Sequence, residues 1–378
     1  MTMTLDGTNG VTFFDTSLQG AAASPFGLKN RIINGAMVID QRNAGASVTQ
    51  TATGGYCVDR WTINGSITTK FTAQQNAAAV TPPTGFTNYL GVTSSSSYTL
   101  LAGDYFYLMQ GIEGFNVSDL DCGTATAKTV TLSFWVRSSL TGTFGGTLRN
   151  LISGATRSYP FTYTISVANT WELKSVTIAG DTSGTWATGS GNSLTICFSM
   201  GTGSTYSGTA GAWAGSNLVS ATGATSVVST NGATWYVTGV QLEAGSTATP
   251  FERRLYNQEL ANCQRYCVNY RSADSGSPYF RYGVGQCETT TGLEIVFPYP
   301  VPMRVLPTLT TTGTAANYGV YHSSVVTAFS SVPTINNSSS YLNATINGVV
   351  ASGLTQGRAC ALLSNNNNTS YLLFSAEL

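Results

Sequence analysis

Thr129-Val-Thr-Leu-Ser-Phe-Trp-Val136 places Val130, Leu132, Phe134 and Val136 on one face of an extended chain, with Thr131, Ser133 and Trp135 on the other. Alternation with a period of two marks a strand that has one face in a core and the other turned outward. Ser193-Leu-Thr-Ile-Cys-Phe-Ser-Met200 repeats the pattern through Leu194, Ile196 and Phe198. Further apolar or alternating runs fall at residues 37–39, 59–63, 89–92, 105–109, 161–167, 171–178 and 234–242. About nine such strands with turn signals between them predict an all-β fold, a jelly-roll-like β-sandwich over residues 31–250. Trp61 and Trp135 lie within strands beside apolar neighbours and are expected in the core or half-buried. The Gly/Ser/Thr-rich stretches 180–191 and 201–232 are expected as long loops at one end of the sandwich, where ligands bind.

The composition agrees. Of 378 residues only 9% are charged, 17 basic against 17 acidic, while 42% are hydrophobic and 41 are glycine. Soluble domains usually carry about 25% charged residues. The apolar content argues against disorder, and the balanced charge supplies no basic stripe for nucleic acid. Seven scattered cysteines, an odd number, argue against a disulfide framework and suit folding in a reducing cytoplasm. The start, Met1-Thr-Met-Thr-Leu-Asp6, lacks the basic and apolar segments of a signal peptide, so none is expected. No run of about 18 apolar residues occurs, so no membrane insertion is expected either.

Residues 1–30, punctuated by Gly7, Gly10, Gly20 and Pro25, are expected to form an N-terminal attachment segment. After the sandwich, residues 251–270 read as a linking helix. Tyr256, Leu260, Cys263, Cys267 and Tyr270 recur at spacings of 4, 3, 4 and 3, with Asn257 as N-cap and Glu259 in the first turn. A stripe of two heptads leaves two roles open, packing on its own sandwich or a three-fold contact between chains through Tyr256, Leu260, Cys263 and Cys267. Arg253 and Arg254 are expected to satisfy carbonyls at this junction or to pair with Glu243 and Glu252. Residues 271–378 form a second, smaller β-sandwich domain. Its strands are expected at 293–297, 308–312, 325–329 and 371–374, with an elbow at Pro298-Tyr-Pro-Val-Pro302 and a polar hairpin tip at 365–368.

Catalytic patterns are sparse. Nucleophilic triads need a histidine beside the nucleophile, and the one histidine, His322, reads as an exposed residue at a strand end or loop. Cys263 and Cys267 lack the second pair that a zinc site needs, and no phosphate-binding glycine loop precedes a helix. Glycoside hydrolysis needs two carboxylates; Asp104, Glu113, Asp119 and Asp121 lie near aromatic residues, but no repeat of the depolymerase type is visible. The expectation is a protein without enzymatic activity, metal or cofactor. Aromatic rings on loops can stack on the C–H faces of sugars, which makes Trp186, Tyr206 and Trp213 the candidate glycan contacts.

Three stretches resemble phage tail fibre and prophage virion proteins. They are Arg31-Ile-Ile-Asn-Gly-Ala-Met-Val-Ile-Asp-Gln-Arg42 with Tyr56-Cys-Val-Asp-Arg-Trp61; Leu132-Ser-Phe-Trp-Val-Arg-Ser-Ser139 with Trp171 to Trp186; and Val237-Thr-Gly-Val-Gln-Leu-Glu-Ala-Gly-Ser-Thr-Ala-Thr-Pro-Phe-Glu-Arg-Arg254 running into Glu259-Leu-Ala-Asn-Cys-Gln-Arg-Tyr266. The second also resembles carbohydrate-binding sandwiches in general. The opening Leu5-Asp-Gly-Thr-Asn-Gly-Val-Thr12 and the ending Ser375-Ala-Glu-Leu378 resemble the same proteins. The resemblance implies a trimeric receptor-binding or fibre-tip module on a virion, joined to baseplate or tail proteins through residues 1–30 and binding a host surface glycan. It supplies no defined set of binding residues. Its rivals are a connecting or decorating fibre without a host ligand and a tailspike-like polysaccharide depolymerase.

Overall fold

The computed structural model describes residues 29–378, together with the backbone of three short antiparallel strands, Thr4–Asp6, Gly10–Thr12 and Leu18–Gln19. The attachment role expected for residues 1–30 therefore lies outside the described residues, apart from those backbones and Lys29 and Asn30. These two already belong to the sandwich: Lys29 Nζ donates to the Pro250 carbonyl (3.0 Å) and Asn30 Nδ2 to that of Val240 (3.1 Å).

Twelve strands build two six-stranded antiparallel sheets. The first runs, edge to edge, Glu172–Ile178, Val130–Ser138, Thr234–Ala244, Leu90–Ser94, Phe71–Gln75, Val48–Thr49. The second runs Arg157–Ile165, Gly142–Asn150, Asn192–Thr202, Tyr105–Glu113, Trp61–Gly65, Gly55–Val58. The alternating residues meet between them as in an aligned sandwich. Phe134 from one sheet stands edge-on to Phe198 from the other at 5.0 Å, and Phe198 also packs on Trp61 and Trp235.

Three details differ from the sequence expectation. Residues 37–39 are not a strand, because the chain winds around the buried Asn34 amide. That amide donates to the carbonyls of Ile39 and Asp59 and accepts from the Ile39 N–H. The strand Gly142–Asn150 carries no hydrophobic signal at Gly145 and Gly146. A Cβ on Gly146 would stand 2.4 Å from the Cys197 carbonyl oxygen and 2.5 Å from the Phe161 ring, so glycine is what the close approach permits. The stretch 201–232 is not an end loop but folds over the outer face of the second sheet, burying Val219 on Tyr107 and Cys197.

The second domain pairs a seven-stranded sheet with a three-stranded one. The larger runs Val325–Ala328, Tyr318–His322, Ala359–Ser364, Arg281–Cys287, Gly292–Pro298, Asn343–Val349, Thr334–Ile335, and the smaller Cys267–Arg271, Tyr371–Ser375, Thr308–Thr311. Phe297 and Phe374 join the two layers at 5.8 Å. The proline elbow carries the chain from the larger sheet to the smaller. Residues 365–368 do the same after Ala359–Ser364, so they are a crossover and not a hairpin tip.

The only α-helix among the described residues is Tyr256–Gln264, shorter than expected. Asn257 lies inside it and Leu255 takes the N-cap position without a side-chain cap. Just beyond its end the chain meets the second domain: the Arg304 N–H donates to the carbonyl of the C-cap residue Arg265 (2.7 Å), and Cys267 opens a strand paired with Ser375. Cys267 is therefore not on the helix. Cys263 is buried within its own chain, Leu260 is half-buried, and of the expected contact stripe Tyr256 alone is well exposed.

The seam between the domains is polar. Glu377 pairs with both Arg42 (3.1 Å) and Arg60, and the Arg60 guanidinium lies 3.6 Å over the Tyr266 ring. Arg265 and the Tyr266 hydroxyl both donate to Glu113. Arg304 donates to the carbonyls of Ala376 (2.7 Å), Glu377 (2.6 Å) and Ser190 (2.9 Å). Gln41 ties the Asp59 carboxylate to the Cys267 carbonyl. Burial pushes Asp59 up to about 6 against the Gln41 hydrogen bonds. Burial also raises Glu113, but the bonds from Arg265 and Tyr266 outweigh it and leave that carboxyl below its ordinary value.

A depressed carboxyl stabilises the fold above its unfolded pKa and loses that contribution as pH falls through the folded value. Glu113→Gln should therefore cost about 1–2 kcal/mol at pH 7. The gap to wild type should close below roughly pH 4, as read by urea denaturation across pH. A gap that stays constant from pH 7 to 3 would contradict the assignment.

Candidate functional site

An aromatic hollow lies on the outer face of the first sheet. Opposite Phe134 the strand Thr234–Ala244 carries one extra residue: Ser133 pairs with Gln241, yet Trp135 pairs with Thr238. Bulges of this kind bend a strand and re-aim its neighbours. Gly239 sits in the bulge with φ of 61°, and a Cβ there would stand 2.6 Å from Phe86 and 3.2 Å from Trp135. Glycine thus leaves a floor onto which both rings can close.

The resulting groove has a volume of about 500 Å³. Phe86, Trp135 and Phe251 wall it, Leu173 stands at its rim 57% exposed, and Ser133, Thr249 and Arg253 supply polar groups. Phe86 and Phe251 meet edge to face at 5.2 Å. The exposed Arg253 guanidinium lies 4.6 Å over Phe86 and 5.7 Å from Phe251. Apolar walls with a few convergent polar groups, at this size, are the usual make-up of a small-molecule site. Ring faces suit the C–H faces of a sugar, and hydroxyl and guanidinium groups suit its oxygens. Arg254 has a structural task instead: it donates to the carbonyls of Asn30 and Ile32 and pairs with Glu259 (3.2 Å), not with Glu243 or Glu252.

The structure brings together two of the three loop aromatics. Trp186 and Trp213 stand perpendicular at 5.6 Å, and Trp213 continues onto Tyr159 at 5.4 Å. Both indole N–H groups are taken up inside the protein, by the carbonyls of Ser183 (3.1 Å) and Ala179 (2.7 Å). Tyr206 lies apart from them, against Tyr105 at 5.1 Å on the outer face of the second sheet. All three are half-buried. Sequence reasoning treated Trp135 only as core or half-buried and did not reach the groove. Trp135 is half-buried on the outward face, and the one signal for the site was the lone glycine inside the strand pattern at 239.

The carboxylates considered for hydrolysis are engaged elsewhere. Asp104 accepts from Ser66, Tyr98 and the Leu101 N–H; burial raises it, but these bonds prevail and hold it low. Glu113 belongs to the seam, and Asp119 and Asp121 pair with Arg31 and Lys128. A glycosidase acid needs a raised pKa, which neither Asp104 nor Glu113 has. His322 is buried, not exposed as expected, with Nε2 3.1 Å from the Thr327 hydroxyl.

No protein-family model matches the chain, and no curated protein does. Solved structures align with it weakly. The enzymatically active domain of tailspike protein 4 of bacteriophage CBA120 is 16% identical over 57% of this chain and 22% of that one, with a TM-score of 0.32. The chain thus spans about a fifth of that tailspike domain. A xylan-binding domain from Paenibacillus barcinonensis is 13% identical over 55% of this chain and 99% of its own, TM-score 0.28. A family 11 carbohydrate-binding module from Clostridium thermocellum, in complex with a mixed-linked tetrasaccharide, is 12% identical over 53% and 98%, TM-score 0.27. Likenesses this slight assign the chain neither a family nor a ligand.

If the tryptophan pair holds its loops to the sandwich, Trp213→Ala should lower stability by roughly 2–3 kcal/mol in chemical denaturation. A loss under 0.5 kcal/mol would show that the ring is free for other contacts.

Proposed function

We propose that this protein is a bacteriophage virion protein, a tail fibre or receptor-binding component that attaches to host surface polysaccharide through the groove of Phe86, Trp135, Phe251 and Arg253. The observation that carries the proposal is the groove itself: three aromatic rings around a bulge glycine, on a sandwich face that the second domain leaves open. The motif resemblance supports the virion assignment, and the scarcity of basic residues supports a hydroxyl-rich glycan partner over nucleic acid, whose affinity depends on phosphate neutralisation. In this proposal the protein is trimeric and performs no catalysis, its attachment to baseplate or tail runs through residues 1–30, and the exposed pair Leu255 and Tyr256 contributes to contacts between chains.

Purified protein should bind cells, or extracted surface polysaccharide, of a susceptible host. Trp135→Ala should weaken binding at least tenfold, about 1.4 kcal/mol, with its circular dichroism unchanged. Equal binding by Trp135→Ala would remove the groove from the function. Binding by neither protein to any susceptible strain would favour a connecting fibre without its own host ligand.

A further inference from the structure

We infer that the groove takes a polysaccharide whose sugars carry carboxylate groups, with the Arg253 guanidinium as the reader of the acid. The inference rests on the glycan assignment of the groove and narrows it to one ligand chemistry.

Three observations meet at Arg253. First, it is a cation without a counter-charge among the described residues. No ion pair and no hydrogen bond to a protein acceptor engages its guanidinium among the described residues, and none of the groove's lining residues is acidic. The nearest acids face other partners. Glu243 accepts from Gln241 and from the Thr249 N–H and hydroxyl, with Lys29 at 4.0 Å. Glu252 accepts from the Asn30 N–H at 2.6 Å, and Glu259 is held by Arg254 and the Asn34 N–H. Glu172, beside the rim residue Leu173, is paired with Lys174.

Second, the guanidinium is held in place although it is exposed. It lies over Phe86 and near Phe251, and a Cβ on the facing Gly85 would stand 3.0 Å from its Nη2. A guanidinium against aromatic rings keeps its N–H edges free while losing much of its mobility. A planar fork fixed in this way matches the two oxygens of a carboxylate.

Third, the cation sits where a bound sugar would present its substituent. Trp135 and Phe86 close over the floor at Gly239, and Arg253 stands at the wall shared by Phe86 and Phe251. A sugar ring stacked on the aromatic wall would point an exocyclic carboxylate toward Nη1 and Nη2. In a chain with so few charged residues, a cation unpaired among the described residues, beside an aromatic groove with no acidic lining, is a selective feature.

The test uses full-length protein and a panel of uronate-containing bacterial capsular polysaccharides. Each is immobilised intact and again after its carboxyl groups have been reduced to primary alcohols, and binding is followed by biolayer interferometry. Wild type should bind at least one intact polysaccharide ten times or more tightly than the reduced form. Arg253→Gln should bind the two forms equally and weakly, and Arg253→Lys should recover part of the preference. Wild-type binding that is equal to intact and reduced forms would overturn the acid-sugar inference and leave the glycan assignment standing. Undiminished preference in Arg253→Gln would overturn the role of Arg253. No binding to either form of any member, nor to neutral polysaccharides, would overturn both proposals together.

Discussion

The pair between Arg60 and Glu377 lies in the seam of the molecule, both side chains more than nine-tenths buried. Two charges removed from water cost several kcal/mol each, and their attraction offsets this best when further hydrogen bonds hold the pair; the Nε atoms of Arg60 and Arg42 have no such bond. Here Arg60 also donates to the Gly111 carbonyl and rests on Tyr266, while Glu377 takes a second bond from Arg42. The seam therefore forms only when the strand Trp61–Gly65, the turn after the helix and the end of the chain arrive together. Sandwich, helix and second domain are locked by a contact that tolerates no partial version.

Arg42, Asp59, Arg60, Arg265, Tyr266 and Glu377 come from four separate stretches of the chain, and the fold assembles them in one place. Their task is to join two β domains at a fixed angle. The groove lies on the outer face of the first sheet, where a bulge at Gly239 opens the strand pairing and three aromatic rings line the opening.

The sequence carried the fold best where alternation was strict. Val130 to Val136 and Leu194 to Phe198 lie where their period places them. It failed where geometry required glycine, as at Gly145 and Gly146, and in the second domain, where strands such as Arg281–Cys287 contain glycines that interrupt the pattern. The helix stripe was legible but over-extended, because the partners met just past the helix end, Arg304 and Ser375, lie 39 residues beyond Arg265 and 108 residues beyond Cys267 in the chain. The groove was illegible for a similar reason: Phe86, Trp135, Gly239 and Phe251 are adjacent only after two sheet pairings and a bulge have formed. Loop aromatics were the visible alternative, yet Trp186 and Trp213 turned to each other while Tyr206 joined a different face.

The central claim, that a buried ion-pair seam makes one cooperative body of two β domains, is tested most directly by differential scanning calorimetry of wild type beside Glu377→Ala. The account predicts a single transition for wild type. In the variant, with Arg42 and Arg60 left unpaired at a cost of about 3–5 kcal/mol, two separated transitions should appear, the first at lower temperature. Two resolved transitions in wild type, or a single unshifted one in the variant, would contradict it.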